Sequence, residues 1–104
     1  MEEKDYLSDM YRDEYYPKFL VDKLKLILQN IVLVLEKGET NLDTIQSEFD
    51  KATIAINELE EEFENHGSQL ETVARESIGE TVYLILKQYK IELNMEDALR
   101  KREW

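Results

Sequence analysis

The chain has 104 residues, of which 42% are hydrophobic, and this is enough for one domain with a modest core. The absence of cysteine excludes a disulfide scaffold, a thiolate metal site and a cysteine nucleophile. Thirteen basic residues against 24 acidic ones give a net charge of −11, which disfavours binding to nucleic acid and to anionic membranes. Such acidity is typical of a surface that serves solubility, and it would also attract a basic protein partner.

No segment has the pattern of a targeting or membrane-spanning element. The N-terminus from Met1 to Asp5 is acidic and lacks the basic and apolar stretches of a signal peptide. The most apolar stretch, Leu24 to Leu35, is interrupted by polar side chains and is too short to span a bilayer. We therefore expect a single cytoplasmic domain over residues 1–104, without membrane association.

The N-terminal pattern predicts a short amphipathic helix over about residues 4–16. Leu7, Tyr11 and Tyr15 recur four residues apart, so they share one helix face. Pro17 is expected to end this helix, because the residue before a proline disfavours the helical region. The same proline suits the first turn of the next helix, where its missing N–H is not needed.

The second predicted helix, about residues 17–37, is apolar around most of its circumference and therefore belongs at the centre of the fold. Its main apolar arc consists of Leu20, Leu24, Ile27, Leu28, Ile31, Val34 and Leu35. Phe19, Leu26 and Leu33 form a second line, seven residues apart. We expect the N-terminal helix to pack over this second line.

The third predicted helix begins after Thr40 or Asn41, which are both good N-cap residues. Its apolar residues alternate three and four positions apart over three heptads: Leu42, Ile45, Phe49, Ala52, Ile56, Leu59 and Phe63. Because the loops are short, we expect the helix that covers this seam to lie in the same chain.

A short turn is expected between the third and fourth helices. Ser68 and Glu71 have the spacing of a capping box, which predicts Ser68 as the N-cap of the fourth helix. A last short helix, from Met95 to about Glu103, is predicted to begin at Asn94. The sequence thus predicts an all-α fold, a compact antiparallel bundle of three long helices with short helices at both termini.

The sequence offers little for catalysis or for cofactor binding. Its one histidine, His66, falls in a predicted turn, and the Glu-x-x-His motif of a di-iron bundle site is missing, since Phe63 stands three residues before it. There is no glycine-rich loop that would cradle a phosphate. We therefore expect no metal and no cofactor, and we favour a non-enzymatic role.

The densest charge feature is an acidic run in the third helix: Glu58, Glu60, Glu61, Glu62 and Glu64. Leu59 and Phe63 within the run belong to the apolar seam, so the glutamates are expected to point away from the core. Three interpretations are open: a solvated face, a metal site, or a docking face for a basic partner. The docking face would consist of Glu58, Glu61, Glu62 and Glu64.

Aromatic residues with polar tips gather near both termini of the chain. They are Tyr6, Tyr11, Tyr15, Tyr16, Tyr83, Tyr89 and Trp104. One interpretation is that the N-terminal tyrosines pack on the second helix with their phenol groups reaching water. The other is an aromatic pocket or partner surface, in which such residues are typical anchors.

Three stretches of the sequence are distinctive as a set. They are Met10-Tyr11-Arg12-Asp13-Glu14-Tyr15-Tyr16-Pro17-Lys18, Glu71-Thr72-Val73-Ala74-Arg75-Glu76 and Arg102-Glu103-Trp104. This order resembles a bacterial family of short helical proteins classed only as a domain of unknown function, although Tyr89-Lys90-Ile91 departs from the Tyr-Gly-Phe of such relatives. The resemblance covers nearly the whole chain and implies a bacterial origin, but it supplies no activity.

The resemblance directs attention to a set of candidate binding residues: Asp13, Tyr15, Tyr16, Asp22, Lys23, Glu71, Arg75, Arg102 and Trp104. Glu71 and Arg75 are four residues apart on one helix and have the spacing of an ion pair. A structural role and a ligand site are both open for these residues, and we favour the structural role.

Two functions from different classes are open. The first is a non-enzymatic protein-interaction module of the bacterial cytosol, in its sharper form an immunity or antitoxin protein that caps a basic toxin. The second is a small-molecule binder or enzyme with a pocket formed by Tyr15 or Tyr16, Arg75 and Trp104. A deep pocket joining these residues would favour the second function, and a flat acidic face would favour the first. The sequence is compatible with a monomer or a homodimer.

Overall fold

The computed structural model describes residues 1–104 and consists of helices joined by short connections. A 3-10 turn, Glu3–Asp5, precedes five α-helices: α1 (Ser8–Arg12), α2 (Lys18–Glu36), α3 (Leu42–Asn65), α4 (Thr72–Gln88) and α5 (Met95–Ala98). There is no β-strand, so the all-α prediction of three long helices with short ones at both termini is confirmed. None of these helices combines the length and apolar character that a membrane crossing requires.

The three long helices leave grooves between them, and the terminal segments occupy two of these grooves. Lys23 near the beginning of α2 pairs with Glu62 near the end of α3, as expected for antiparallel neighbours. Helix α1 lies against both α2 and α4, and α5 lies against both α3 and α4. The groove between α2 and α3 is open to solvent and contains a cavity lined only by residues of these two helices.

The core is formed by the seam of α3, the main apolar arc of α2 and one side of α4. Its largest fully buried side chains on the three long helices are Phe49, Phe63, Leu20, Leu24, Leu28, Ile56, Ile78, Ile85, Val21 and Val82. Burying one side chain of this kind contributes about 1.5–3 kcal/mol. The seam is buried as predicted from Ile45 onward, whereas its first member, Leu42, stays exposed.

The N-terminal region is not the single helix over residues 4–16 that its pattern predicts. The chain turns at Leu7, whose φ of 52° is left-handed, so that the 3-10 turn and α1 are separate elements. The Leu7 N–H donates to the hydroxyl oxygen of Thr81 on α4 (3.0 Å), and the Leu7 side chain is buried. We attribute the turn to this hydrogen bond and to the burial of the Leu7 side chain, which together stabilise it by more than the left-handed backbone costs. The continuous helix that the local pattern predicts is therefore not formed.

The line of Phe19, Leu26 and Leu33 is not covered by the N-terminal segment, so this prediction was wrong. The three side chains are 49%, 59% and 54% exposed. The segment lies instead between α2 and α4, where Leu7 and Met10 are almost fully buried. Two helix surfaces enclose an apolar side chain more completely than one surface does, so this position removes more apolar area from water. We call the exposed line of Phe19, Leu26 and Leu33 the apolar stripe.

The prediction that Ser68 is the N-cap of α4 was wrong. Ser68 instead belongs to the turn that ends α3. Its N–H donates to the Phe63 carbonyl oxygen (2.8 Å) while Gly67 adopts a left-handed φ of 74°, the arrangement of a Schellman motif. Helix α4 begins only at Thr72. The Ser68 hydroxyl is buried and has no hydrogen-bond partner within the chain.

Replacing Ser68 by alanine is therefore expected to leave the free energy of unfolding unchanged or to raise it, because the change removes an unpaired buried hydroxyl. The matched controls are Asn41→Ala and Asn94→Ala, which remove the N-caps of α3 and α5. The sequence predicts Asn94 for α5 and leaves Thr40 and Asn41 open for α3. Each control should cost about 1 kcal/mol. Urea denaturation measures the free energy of unfolding of the three variants. A loss for Ser68→Ala as large as that for Asn41→Ala would show that Ser68 caps α4 after all.

Candidate functional site

The acidic face, defined as Glu58, Glu61, Glu62 and Glu64, lies on α3 away from its buried seam. The Glu62 carboxylate is held by the Lys23 ammonium at 2.7 Å. Glu58, Glu61 and Glu64 are exposed and take part in no ion pair. Like charges this close on one helix repel each other, so they do not stabilise the helix and remain free to meet a cation.

The apolar stripe of α2 lies beside the acidic face of α3. Lys23, which stands between Phe19 and Leu26 in the sequence, connects the two through its ion pair with Glu62. The cavity in the groove between the helices has a volume of about 250 Å³. Its lining residues are Ile27, Asn30, Ile31, Glu48, Lys51, Ala52 and Ala55. The Lys23–Glu62 ion pair is therefore the contact that links the helix of the apolar stripe to the acidic face.

Tyr16, one of the candidate binding residues, is buried where α2, α3 and α4 meet. Its hydroxyl oxygen accepts the Ala74 N–H in the first turn of α4 (3.2 Å), which satisfies one of the N–H groups that a helix start leaves unpaired. Its ring meets the Phe63 ring edge-on at 6.3 Å, and burial raises the pKa of the Tyr16 hydroxyl. Tyr15 is half-exposed and packs edge-on against Tyr16 at 5.0 Å. These contacts join the segment before α2 to the bundle.

The other N-terminal tyrosines also serve packing. Burial is the main cause that raises the pKa of Tyr6 to about 12. Burial and a hydrogen bond to Asp22 Oδ1 (2.6 Å) raise the pKa of Tyr11, and the Lys25 ammonium lies 5.5 Å from the Tyr11 ring. Both hydroxyls are therefore protonated near neutral pH, and that of Tyr11 donates its hydrogen to Asp22.

Asp13, Glu71 and Arg75 make only local contacts. Asp13 Oδ1 accepts the Tyr15 N–H (2.9 Å) in the turn before α2. Glu71 occupies the N-cap position of α4, and its carboxylate forms no ion pair with Arg75. Arg75 reaches the Thr72 hydroxyl at 3.5 Å and is otherwise exposed.

Trp104 belongs to a C-terminal tail that is fixed to α3 by Asn57. The Asn57 side chain donates to the Lys101 carbonyl oxygen (2.8 Å) and accepts the Glu103 N–H (2.9 Å). The Arg102 guanidinium lies 5.8 Å from the Trp104 ring, a cation–π contact. The indole N–H of Trp104 is buried and has no partner within the chain.

Tyr15, Tyr16, Arg75 and Trp104 line none of the five main cavities of the surface, whose volumes are about 80 to 480 Å³. A cleft of about 400 Å³ lies between the α2–α3 connection and the segment after α4, at the other end of the bundle from Tyr16. No group of three or more histidine, aspartate or glutamate side chains is arranged to hold a metal ion.

An ion pair that sequence analysis does not predict fastens the segment after α5 to α3. Arg100 donates from Nε (3.0 Å) and Nη2 (2.7 Å) to the two carboxylate oxygens of Asp50, fifty positions earlier. These hydrogen bonds are the main cause that holds the pKa of Asp50 below its usual range. Gln46 donates to Asp50 (3.1 Å) and to the Asp97 carbonyl oxygen (2.8 Å). Because the two residues lie on elements far apart in the chain, no local pattern indicates that they pair.

The fold and these surfaces define a small all-α bundle protein that carries an exposed acidic face on α3 and an exposed apolar stripe on α2. The chain belongs to a family of unknown function (DUF5713), whose model matches residues 1–104. The resemblance to an uncharacterised helical family is thereby confirmed. No curated protein and no solved structure matches the chain, so its function has to be argued from its own surface.

Proposed function

We propose that this protein is a non-enzymatic interaction module that binds a basic protein through the acidic face of α3. The observation that carries the proposal is the exposed, unpaired state of Glu58, Glu61 and Glu64. Complementary charge speeds the encounter of two proteins and suppresses wrong partners. The net charge of −11 adds a long-range attraction for any basic surface.

The sharper form of the proposal is an immunity or antitoxin-type protein of the bacterial cytosol that caps a basic toxin. A small acidic protein suits this role, because the association has to be fast and selective. The alternative function, a small-molecule binder or enzyme, needs a pocket shared by Tyr15 or Tyr16, Arg75 and Trp104. No main cavity supports such a pocket.

The double variant Glu58→Lys/Glu61→Lys is expected to lose partner capture in a pull-down from native cell extract. The matched control is Glu76→Lys/Glu80→Lys, which changes the net charge equally but lies on α4, where both glutamates are exposed. The control should capture the same proteins as the wild type. Both variants should keep the helical circular dichroism spectrum, because none of these four glutamates forms an ion pair.

Association should also slow markedly as salt rises, because exposed charges are screened beyond about 8 Å at physiological ionic strength. Equal capture by the wild type and by both variants would refute the acidic face as a docking site. Capture by none of the three would refute the interaction module itself.

A further inference from the structure

The cleft between the α2–α3 connection and the segment after α4 has an apolar lining and is open to solvent. Its volume of about 400 Å³ lies within the range of about 300–1,000 Å³ that is usual for small-molecule sites. Leu42, the first member of the α3 seam, is 43% exposed here, so the seam runs past the covered core into the cleft. The other apolar lining residues are Leu35, Ile45, Tyr89 and Ile91.

Charged residues of both signs line the same cleft without partners in the chain. Glu39, Glu92 and Lys90 are lining residues, and none of them takes part in an ion pair. The Glu39 Oε2 atom accepts the N–H groups of Thr40 (3.1 Å) and Asn41 (3.0 Å), which hold this carboxylate in the turn before α3. The cleft therefore offers one positioned carboxylate, a second carboxylate and one ammonium group beside apolar side chains.

Lys90 occupies a backbone position that usually belongs to glycine. It directly follows the C-cap of α4 and has a left-handed φ of 53°. Its N–H donates to the Lys87 carbonyl oxygen (3.3 Å) and the Ile91 N–H to the Leu86 carbonyl oxygen (2.9 Å), the two hydrogen bonds of a Schellman end. A side chain destabilises this conformation, whereas glycine adopts it freely.

Burial does not offset this backbone strain at Lys90. Leu7, the other non-glycine residue with a positive φ, has a buried side chain, whereas the Lys90 side chain is exposed at the cleft. A strained residue that gains nothing from packing is typical of a functional position. The Lys90 ammonium is therefore the group in the cleft that suits the anionic part of a ligand.

We propose that this cleft binds a free amino acid with an apolar side chain, such as leucine, in its zwitterionic form. Lys90 receives the ligand's carboxylate, Glu39 and Glu92 receive its ammonium group, and the apolar lining receives its side chain. A purely cationic ligand leaves Lys90 facing a like charge. A purely anionic ligand meets two carboxylates and a protein of net charge −11. The site shares no residue with the acidic face of α3 and goes beyond the proposed function.

Isothermal titration calorimetry of the full chain with three ligands tests which charges the cleft recognises. Leucine is compared with isoamylamine, which lacks its carboxylate, and with 4-methylpentanoate, which lacks its ammonium group. All three have the same branched apolar end. Leucine should bind at least about tenfold more tightly than either of the others, because each of these loses a hydrogen-bonded charge contact.

Substitution of Lys90 separates a ligand-binding role from a structural one. Lys90→Gly should lose the preference for leucine over isoamylamine and should raise the urea denaturation midpoint, because glycine removes the strain. Lys90→Gln should lose the same preference without a higher midpoint. The matched control is Lys87→Gln, which removes a cation of α4 that does not line the cleft and should keep the preference. Glu39→Gln/Glu92→Gln should lose the preference for leucine over 4-methylpentanoate.

Equal affinity of the wild type for leucine and isoamylamine, or an unchanged preference in Lys90→Gly, would overturn the inference. No binding of leucine up to about 10 mM, a concentration that reveals even millimolar affinity, would overturn it too. Loss of the preference in Lys87→Gln would show an effect of overall charge and would count against the cleft. None of these measurements involves the acidic face or a partner protein, so their failure is distinct from failure of the proposed function.

Discussion

Replacing Phe63 by alanine is expected to lower the free energy of unfolding by about 3–5 kcal/mol, the usual cost of removing a buried aromatic side chain. Phe63 is fully buried near the end of α3 and meets the ring of Tyr16. Its carbonyl oxygen accepts the Ser68 N–H that closes the turn to α4. A cavity at this position therefore loosens the contact between α3, α4 and the segment before α2.

The matched control is Phe19→Ala, which is the same substitution on the exposed apolar stripe, where the ring is 49% exposed. Its cost should be much smaller, because less apolar area returns to water and no enclosed cavity forms. Urea denaturation midpoints, with slopes compared, measure both variants. Similar losses for Phe63→Ala and Phe19→Ala would contradict the assignment of Phe63 to the core and of Phe19 to the surface, where its ring is half-exposed and meets the His66 ring edge-on at 5.0 Å.

The second large effect is expected for Thr81→Val, which should cost about 1–3 kcal/mol through an unpaired buried N–H. The Thr81 hydroxyl oxygen accepts the Leu7 N–H (3.0 Å) and its hydrogen is donated to the Ser77 carbonyl (3.0 Å). Valine keeps the shape but offers no acceptor. Leu7 has a strained left-handed backbone, so the N-terminal segment should detach from α4 before the bundle unfolds.

Thr53→Val provides the control, because Thr53 is equally buried but its hydroxyl donates only to the Phe49 carbonyl of its own helix. That carbonyl also lies within the helical ladder, so valine leaves no N–H without a partner. Limited proteolysis of the first residues, together with urea denaturation, separates the two variants. Early cleavage in Thr53→Val, or none in Thr81→Val, would contradict the anchoring role of the Leu7–Thr81 hydrogen bond.

The sequence predicts those parts of the fold that depend on local patterns. The seam of α3, the cap Asn94 and the central place of α2 follow from spacing and from side-chain chemistry within a few residues. For α3 the same chemistry leaves Thr40 and Asn41 as alternatives, and the structure uses Asn41. The Leu7 turn could not be predicted in this way, since its hydrogen-bond partner is Thr81, 74 positions later. The Asp50–Arg100 ion pair could not be predicted for the same reason, since its two residues lie 50 positions apart in the sequence.

Ser68 shows how two local patterns compete for one residue. The capping-box spacing with Glu71 favours a helix start, whereas Gly67 favours a Schellman end for α3. In the structure the Schellman end is formed: Ser68 is buried and its N–H donates to the Phe63 carbonyl oxygen. The local sequence alone does not indicate whether the capping box or the Schellman end is formed.

The candidate surface was visible in the sequence only in part. The glutamates of the acidic face were predicted to point outward, and the structure places Glu58, Glu61 and Glu64 in solvent. The sequence shows the apolar stripe as a separate line on the second helix but predicts that the N-terminal helix covers it. The reason is that the sequence offers the N-terminal segment as a cover, and only the tertiary fold shows that this segment fits between α2 and α4.

Site-specific photo-cross-linking to the captured partner tests the interaction surface most directly. The chain contains no cysteine, so a single cysteine can carry the cross-linker at a chosen position. Ile54→Cys places it on the exposed side of α3, one turn before Glu58, and Glu80→Cys places it on the exposed side of α4. We expect a cross-linked partner from Ile54→Cys and none from Glu80→Cys. Cross-linking from Glu80→Cys alone would contradict the assignment of the docking surface to α3.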